Sequence, residues 1–301
     1  MTMTATNTTL RGQLLHDEPM SRHTSWRIGG NARNYFQPAD MQDVCEFMKT
    51  LPADEQVYWI GLGSNILVRD GGINGTVIAV SGMLNQLSLT DENHVRAEAG
   101  VASAKVARFS ANNHLTGAEF LAGIPGTVGG ALAMNAGAFG GETWDVVEKV
   151  ETLNRSGEVT VRTVDDYDIG YRHVSGPADE WFVAAHFKLQ PGELDDSKAE
   201  IKSLLARRGE SQPTQLPNAG SVFKNPEGDF SARLIEACGL KGKCVGKACV
   251  SDKHANFIIN TGDARAADVE ALIRFIQQTV KEMHGIELQP EVRIIGEATD
   301  G

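Results

Sequence analysis

The chain has 301 residues, 39 acidic against 28 basic, for a formal net charge of −11 at pH 7. That length suffices for two or three units of roughly 100 residues with a cleft between them, and the acidic balance excludes a broad face for nucleic-acid phosphates. No run of about 18 apolar residues is present to cross a bilayer, and 41% hydrophobic with 22% charged residues is the composition of a globular protein.

Met1 to Leu10 is Thr-rich and lacks a basic start followed by an apolar run, so no secretory leader is expected and the cytoplasm is the default location. Cys45, Cys238, Cys244 and Cys249 form no C-x-x-C pair and no metal-ligand spacing; buried, reduced thiols and no metal are expected.

In chain order, Thr24 to Gly30 leads into an apolar stretch at Tyr35 and Phe36, then a helix-like run from Ala39 to Leu51 that Asp40 helps to open. Val57 to Ile60 and Ile66 to Val68 read as strands flanking the tight loop Gly61-Leu62-Gly63-Ser64-Asn65. Asp70-Gly71-Gly72 turns into a strand at Thr76 to Val80. Ala102 to Asn113 has helical spacing, and another helix follows the glycine run Gly123 to Gly130. Strands are predicted at Val146 to Leu153, Val159 to Val164 and Trp181 to Leu189. Gln190 to Asp196 reads as a boundary, Ser197 to Arg208 as a helix, and Gln212 to Asn218 as an extended loop. Val269, Leu272, Ile273, Ile276, Val280 and Met283 make one apolar helical stripe closed by Gly285. Ile286 to Leu288 and Val292 to Ile295 read as short strands.

The first glycine loop lies between two strands and has Ile66 where a Rossmann fingerprint needs its third glycine; it is not a Walker loop either. Its glycines still let backbone approach an anion, and Ser64 and Asn65 add donors. Taken alone, a plain hairpin turn explains it as well. The second cluster, Gly123-Ile124-Pro125-Gly126-Thr127-Val128-Gly129-Gly130 with Asn135 and Gly137, repeats the signal about 60 residues on and precedes a helix whose N–H groups suit a pyrophosphate. Close helix packing is the competing explanation. Two such clusters favour a dinucleotide held between two subdomains.

Together these clusters resemble the FAD-binding fold of the vanillyl-alcohol oxidase type. Gly170-Tyr171-Arg172, Asn218 to Pro226 and Leu288 to Arg293, with Ser251 to Phe257 between them, resemble in order the active-site segments of the UDP-N-acetylenolpyruvoylglucosamine reductase family, over about Thr24 to Gly296. The resemblance implies an α+β protein: an FAD-binding domain at 21–192 in two subdomains (21–82 and 83–192), after an N-terminal extension at 1–20. An α/β substrate-binding domain at 197–285 and a strand at 286–301 returning to the first subdomain would complete it.

It further implies noncovalent FAD, since the first loop lacks the His or Cys that carries the flavin in some relatives, with NADPH as reductant. The substrate would be UDP-N-acetylglucosamine enolpyruvate, reduced for peptidoglycan precursors, and the enzyme a monomer with no nucleic-acid or membrane partner. The cofactor residues expected are Gly61, Gly63, Ser64, Asn65, Gly123, Ile124, Pro125, Gly126, Thr127, Gly129, Gly130, Asn135 and Gly137; Lys224 and Asn225 would meet the substrate. Hydride addition to an enolpyruvyl group builds anionic charge that Arg172 can hold, that Glu291 can meet if burial keeps it protonated, and that the family's serine, here Ser221, quenches with a proton. His254 and Asn256 suit structural hydrogen bonding as well as ligand contact.

The stretch 173–220 holds no tyrosine, which matches the shorter, type II form without the tyrosine-bearing lid. Ser211 replaces a common basic residue before Gln212-Pro213, leaving Arg207 or Arg208 to meet substrate phosphates. Lys247 and Val174 replace a common glycine and serine. Two rivals stand beside this reading: another oxidoreductase of the same fold, such as an alcohol or sugar oxidase, and a noncatalytic nucleotide-binding protein.

Overall fold

The computed structural model describes residues 10–299; residues 1–9, on which most of the expectation about a leader rests, lie outside it. Its first layer is a four-stranded sheet. β1 (Gln13–Pro19) lies antiparallel to β2 (Asn31–Gln37), and α1 (Met41–Thr50) follows. β3 (Val57–Ile60), β4 (Ile66–Val68) and β5 (Ile73–Ala79) come next, with the sheet ordered β1-β2-β5-β3 and its last three strands parallel. Parallel neighbours need a crossover, and α1 supplies it, burying Val44, Phe47 and Met48 against Phe36 and Ile78. Asp40 does open α1: its Oδ1 accepts the Asp43 amide at 3.0 Å. The segment expected as an extension at 1–20 therefore contains an edge strand of this layer.

The second layer is antiparallel. Its five strands run Val159–Thr163, Val147–Asn154, Glu180–Lys188, β7 (His94–Glu98) and, at the edge, β6 (Leu87–Leu89). α2 (Ser103–Asn112) and α3 (Val128–Met134) cover it, burying Val106 and Leu132 with Val95, Val150 and Phe187. α4 (Leu194–Ser211) was expected to open the substrate domain from Ser197. Its apolar residues Ile201 and Leu205 pack instead into this second core, so by packing the third unit begins only after α4.

That third unit holds α5 (Ser231–Ala237), an antiparallel sheet of Cys244–Val245, Ala248–Val250 and Ile258–Asn260, and α6 (Ala266–His284). The predicted stripe of α6 is buried from Val269 to Val280, but Met283 is 58% exposed because it lies in the last turn, beyond the sheet. Gly285 ends the helix at φ +72°. Ile286 to Leu288 is not a strand; Arg293–Ile295 is, and pairs in parallel with β4, returning the chain to the first layer.

Residues far apart in sequence lock the layers together. Trp26 is fully buried in the core of the third unit, and its indole N–H donates to the Ile258 carbonyl at 2.7 Å. Both carboxylate oxygens of Asp70 accept amides of the first turn of α6, Ala266 and Ala267, at 2.9 Å each. The turn Asp70-Gly71-Gly72 is thus also a helix cap supplied from another layer.

The cysteine expectation needs correction. Cys244 and Cys249 face each other across the hairpin register, with Cα atoms 4.1 Å apart, and form a disulfide; Cys45 and Cys238 are free and half-buried. The short reverse turn at Gly246, not motif spacing, brings them together. Among the described residues no group of side chains has metal-binding geometry, and no helix is long and apolar enough to cross a membrane.

Candidate active site

A cleft of about 490 Å³ opens where the three units meet, and the glycine clusters, Arg172, Ser221 and Glu291 all line it. The two clusters touch. A side chain at Gly61 would fall 2.2 Å from the Thr127 hydroxyl, and one at Gly126 would lie 3.4 Å from the Ser64 hydroxyl. Gly63 sits at φ +62° with the His23 carbonyl where a Cβ would be, a position only glycine fills without strain. Its carbonyl accepts from both the amide and the hydroxyl of Ser25.

These loops fit a dinucleotide. The Thr127 hydroxyl is buried without a partner among the described residues, a donor waiting for an acceptor that the protein does not provide. Gly61, Gly63, Ser64, Asn65, Gly123, Ile124, Pro125, Gly126, Thr127, Gly130 and Gly137 all line the cleft, whereas Gly129 and Asn135 do not. Gly129 packs against Ala99, and its amide and that of Val128 already donate to Ala99 and Val101. The helix end expected to meet a pyrophosphate is thus partly spoken for, and it is the loop before it that lines the cleft.

Asn135 ends α3 in the left-handed region, φ +41°. Its side chain donates to Glu142 at 2.8 Å and to the Gly170 carbonyl at 3.2 Å, so it ties the helix to the hairpin that carries Arg172. That hairpin pairs Gly170 with His173, which leaves Tyr171 and Arg172 as the turn, with Arg172 itself at φ +53°. A non-glycine residue there is strained, and its side chain explains what holds it. Nε donates to Glu291 Oε1 at 3.2 Å, Nη1 to the Asn135 carbonyl at 3.1 Å and Nη2 to the Gly137 carbonyl at 2.9 Å. The guanidinium is therefore fixed in one plane before any ligand arrives.

Glu291 precedes the returning strand. Its amide donates to the Val222 carbonyl at 2.8 Å, and its carbonyl accepts from the side chain of Asn65 at 3.2 Å. Burial pushes its carboxyl above the ordinary value of 4.5 even though Arg172 and Lys224 pull the other way. A carboxyl so placed is a hydrogen-bond donor at higher pH than an exposed one.

Ser221 follows Gly220, at φ +74°, and is half-buried in the cleft wall. What fixes it is Asn256, only 3% exposed. Its side chain accepts the Phe223 amide at 2.9 Å and donates to the Phe223 carbonyl at 2.8 Å, while its own carbonyl accepts the Val222 amide at 2.9 Å. Asn256 thus has the structural role. So does His254, whose Nδ1 accepts the Asn256 amide at 3.3 Å.

The expected substrate contacts part company. Lys224 is close enough to act on the charge of Glu291, whereas the Asn225 side chain accepts the Ser231 amide at 3.1 Å and neither residue lines the cleft. Of the two candidate arginines, Arg208 lines the cleft, while Arg207 lies over the ring of Phe139, 5.1 Å from its centroid. Lys247 and Val174 do not line it. Phe139, Phe257 and Arg293 do, and for Phe139 its place beside Gly140, φ +94°, in the second glycine cluster was the one available signal.

Comparison with known proteins shows the family to which the chain is similar. Residues 212–295 match the family model described as UDP-N-acetylenolpyruvoylglucosamine reductase, C-terminal domain, and residues 32–162 match an FAD binding domain. The UDP-N-acetylenolpyruvoylglucosamine reductase of Methylococcus capsulatus is 56% identical over 96% of this chain and 95% of its own length. That of Alkalilimnicola ehrlichii is 55% identical over 95% and 96%. Among solved structures, the reductase from Thermus caldophilus superimposes with a TM-score of 0.81 at 30% identity, over 95% of this chain and 99% of its own.

Proposed function

The chain belongs to the UDP-N-acetylenolpyruvoylglucosamine reductase family, and on that premise we propose that Arg172, Ser221 and Glu291 carry out its reaction in the cleft between the three units. The protein is an FAD- and NADPH-dependent oxidoreductase that reduces UDP-N-acetylglucosamine enolpyruvate to UDP-N-acetylmuramate, a step in building peptidoglycan precursors. The two glycine loops would hold FAD, which would supply hydride chemistry with NADPH as the source of the hydride.

Addition of that hydride at C3 of the enolpyruvyl group places negative charge on C2 and its carboxylate. Arg172 meets this charge with a permanent cation whose plane is set by two backbone carbonyls and Glu291. Glu291, whose carboxyl burial raises above its ordinary value, adds a hydrogen-bond donor rather than a second negative charge whenever it carries its proton. Ser221 gives its proton to C2, and the serine recovers one from solvent. A hydroxyl is a weak acid, so its contribution depends on position. The clamp of Asn256 on both sides of Phe223 supports that requirement.

The convergence of the three residues on one cleft with the glycine loops, from three separate parts of the chain, is the observation that carries this reading. The same reading has the enzyme acting in the cytoplasm as a monomer. The test is direct: purified protein should be yellow, and should consume NADPH rapidly only when UDP-N-acetylglucosamine enolpyruvate is present. Consumption indifferent to that compound, with fast oxidation of the reduced flavin by oxygen, would instead favour an oxidase.

A further inference from the structure

Arg172 meets two carboxylates, and the reaction needs them in different states. Nε lies 3.2 Å from Glu291 Oε1, and Nη1 lies 3.8 Å from Glu142 Oε1. The side chains of Arg172 and Glu291 are each only 16% exposed. A guanidinium so far withdrawn from water needs an anion beside it. A Glu291 that carries the proton with which it donates a hydrogen bond is not that anion.

Glu142 is placed to take the part. It ends a tight hairpin, Gly137–Ala138 with Gly141–Glu142, and does not itself line the cleft. Its Oε2 accepts the Asn135 side chain at 2.8 Å, its amide donates to Asp145 at 2.9 Å, and its carboxylate accepts the Asp145 amide in return. Asn135 also accepts Arg172 Nη1 on its carbonyl, so one residue anchors both partners. Gly137 leaves them room to meet: a Cβ there would fall 3.0 Å from Glu142 Cγ and 3.1 Å from Arg172 Nη1.

The other charges around Glu291 act against its proton. Lys224 and Arg172 both pull on its charge, Arg208 and Arg293 line the same cleft, and no second carboxylate does so among the described residues. Asp168 and His173, on the hairpin of Arg172, are exposed and lie 3.7 Å from each other. Cations facing a carboxyl favour its ionised form, and Glu142 is the carboxylate set against the nearest of them.

We propose that Glu142 is a positioning residue for the reaction, the standing counter-ion of Arg172 that leaves Glu291 free to carry its proton. This rests on the reductase reading, in which Glu291 must donate a hydrogen bond. The sign of the effect is fixed by charge. Reoxidation by substrate slows as pH rises through the point where Glu291 ionises; without Glu142, Arg172 pulls on Glu291 alone, and that alkaline limb moves to lower pH.

The experiment uses the FAD-loaded protein and its Glu142→Gln, Glu142→Asp and Glu291→Gln variants. Reoxidation of the reduced enzyme by UDP-N-acetylglucosamine enolpyruvate is timed across pH. Independently of turnover, the infrared band of protonated Glu291, identified by its loss in Glu291→Gln, is titrated over the same range. In Glu142→Gln the limb and the band should both move down by about half a pH unit or more, and Glu142→Asp, which keeps the charge, should bring them part of the way back. Glu291→Gln should have no such limb.

A uniform loss of rate with limb and band in place would overturn the proposal, since it is what a merely structural role produces. So would a limb that moves while the band stays, or a wild type without the band. If Glu142→Gln does not fold, Glu142→Ser decides by the same criteria, because serine is at home at the start of the helical turn that Glu142 opens. Failure of the reductase reading is recognised separately, as wild-type protein that substrate does not reoxidise, and leaves the infrared titration to judge the counter-ion.

Discussion

Replacing Asn256 by alanine removes one side chain that does not line the cleft, yet it should slow one half of the catalytic cycle. The side chain makes two hydrogen bonds to the main chain of Phe223, itself 1% exposed, at 2.9 and 2.8 Å. Deleting it leaves a buried N–H and a buried carbonyl without partners, at about 1–3 kcal/mol each. A total loss of about 2–6 kcal/mol in unfolding free energy is therefore expected, measured by urea denaturation of the FAD-loaded protein. Asn256→Asp keeps the acceptor for the Phe223 amide and loses the donor, so it should fall between.

The same bonds hold the chain segment next to Ser221, and misplacement of a proton donor by about 1 Å costs on the order of 100-fold. Reoxidation of reduced enzyme by substrate should slow by that order, whereas reduction by NADPH, which needs no protein proton donor, should stay within about threefold. A destabilisation below about 1 kcal/mol, or equal slowing of both half-reactions, would refute the argument that Asn256 positions Ser221.

Three other outcomes follow from the same geometry. Glu291 has a carboxyl raised by burial, so its contribution to stability is intact below the unfolded value near 4.5 and is lost as pH rises through the raised value. Melting curves of wild type should lose ground to Glu291→Gln across that window, by at most about 1.4 kcal/mol per pH unit, and parallel curves would contradict it. Arg172→Lys keeps the charge but cannot span Glu291, Asn135 and Gly137 together; reoxidation by substrate should drop about 100-fold, and retention of a third of wild-type rate would argue against the fixed plane. Asp70→Ala uncaps α6 and should cost about 1–2 kcal/mol in urea unfolding with turnover unchanged; an undiminished midpoint would show that the cap is idle.

Much of this fold was legible because its signals are local. Val57–Ile60 and Ile66–Val68 were read with their observed ends, since each is a short apolar run bounded by turn residues, and α6 declared itself by periodicity. What was hidden depends on partners distant in sequence. Nothing near Trp26 says that it fills a core built 200 residues later, nor near Asp70 that it caps α6. Likewise α4 has helical spacing in either unit, and only the position of its neighbours decides that Ile201 and Leu205 join the second core. The disulfide came from a turn that places Cys244 opposite Cys249, a register no spacing rule encodes.

The site divides in the same way. Gly61 and Gly63 were legible because close approach demands glycine, and the chain does approach there. Gly129 and Asn135 share that composition but use it for packing against Ala99 and for tying α3 to the Arg172 hairpin. Composition marks a place where backbone comes close to something; it does not say whether that is a ligand or another strand. Arg208 shows the converse: the sequence offered it beside Arg207 with nothing to choose between them, and only packing separates Arg208, which lines the cleft, from Arg207, which lies over Phe139.

The central claim, that Ser221 hands a proton to the carbon made electron-rich in this cleft, is tested most directly by single-turnover kinetics. Wild type and Ser221→Ala, each reduced in advance by NADPH without oxygen, are mixed with UDP-N-acetylglucosamine enolpyruvate and flavin reoxidation is timed. The account predicts that the variant is reduced at the wild-type rate but reoxidised about 100- to 10,000-fold more slowly. Reoxidation at an undiminished rate would contradict it.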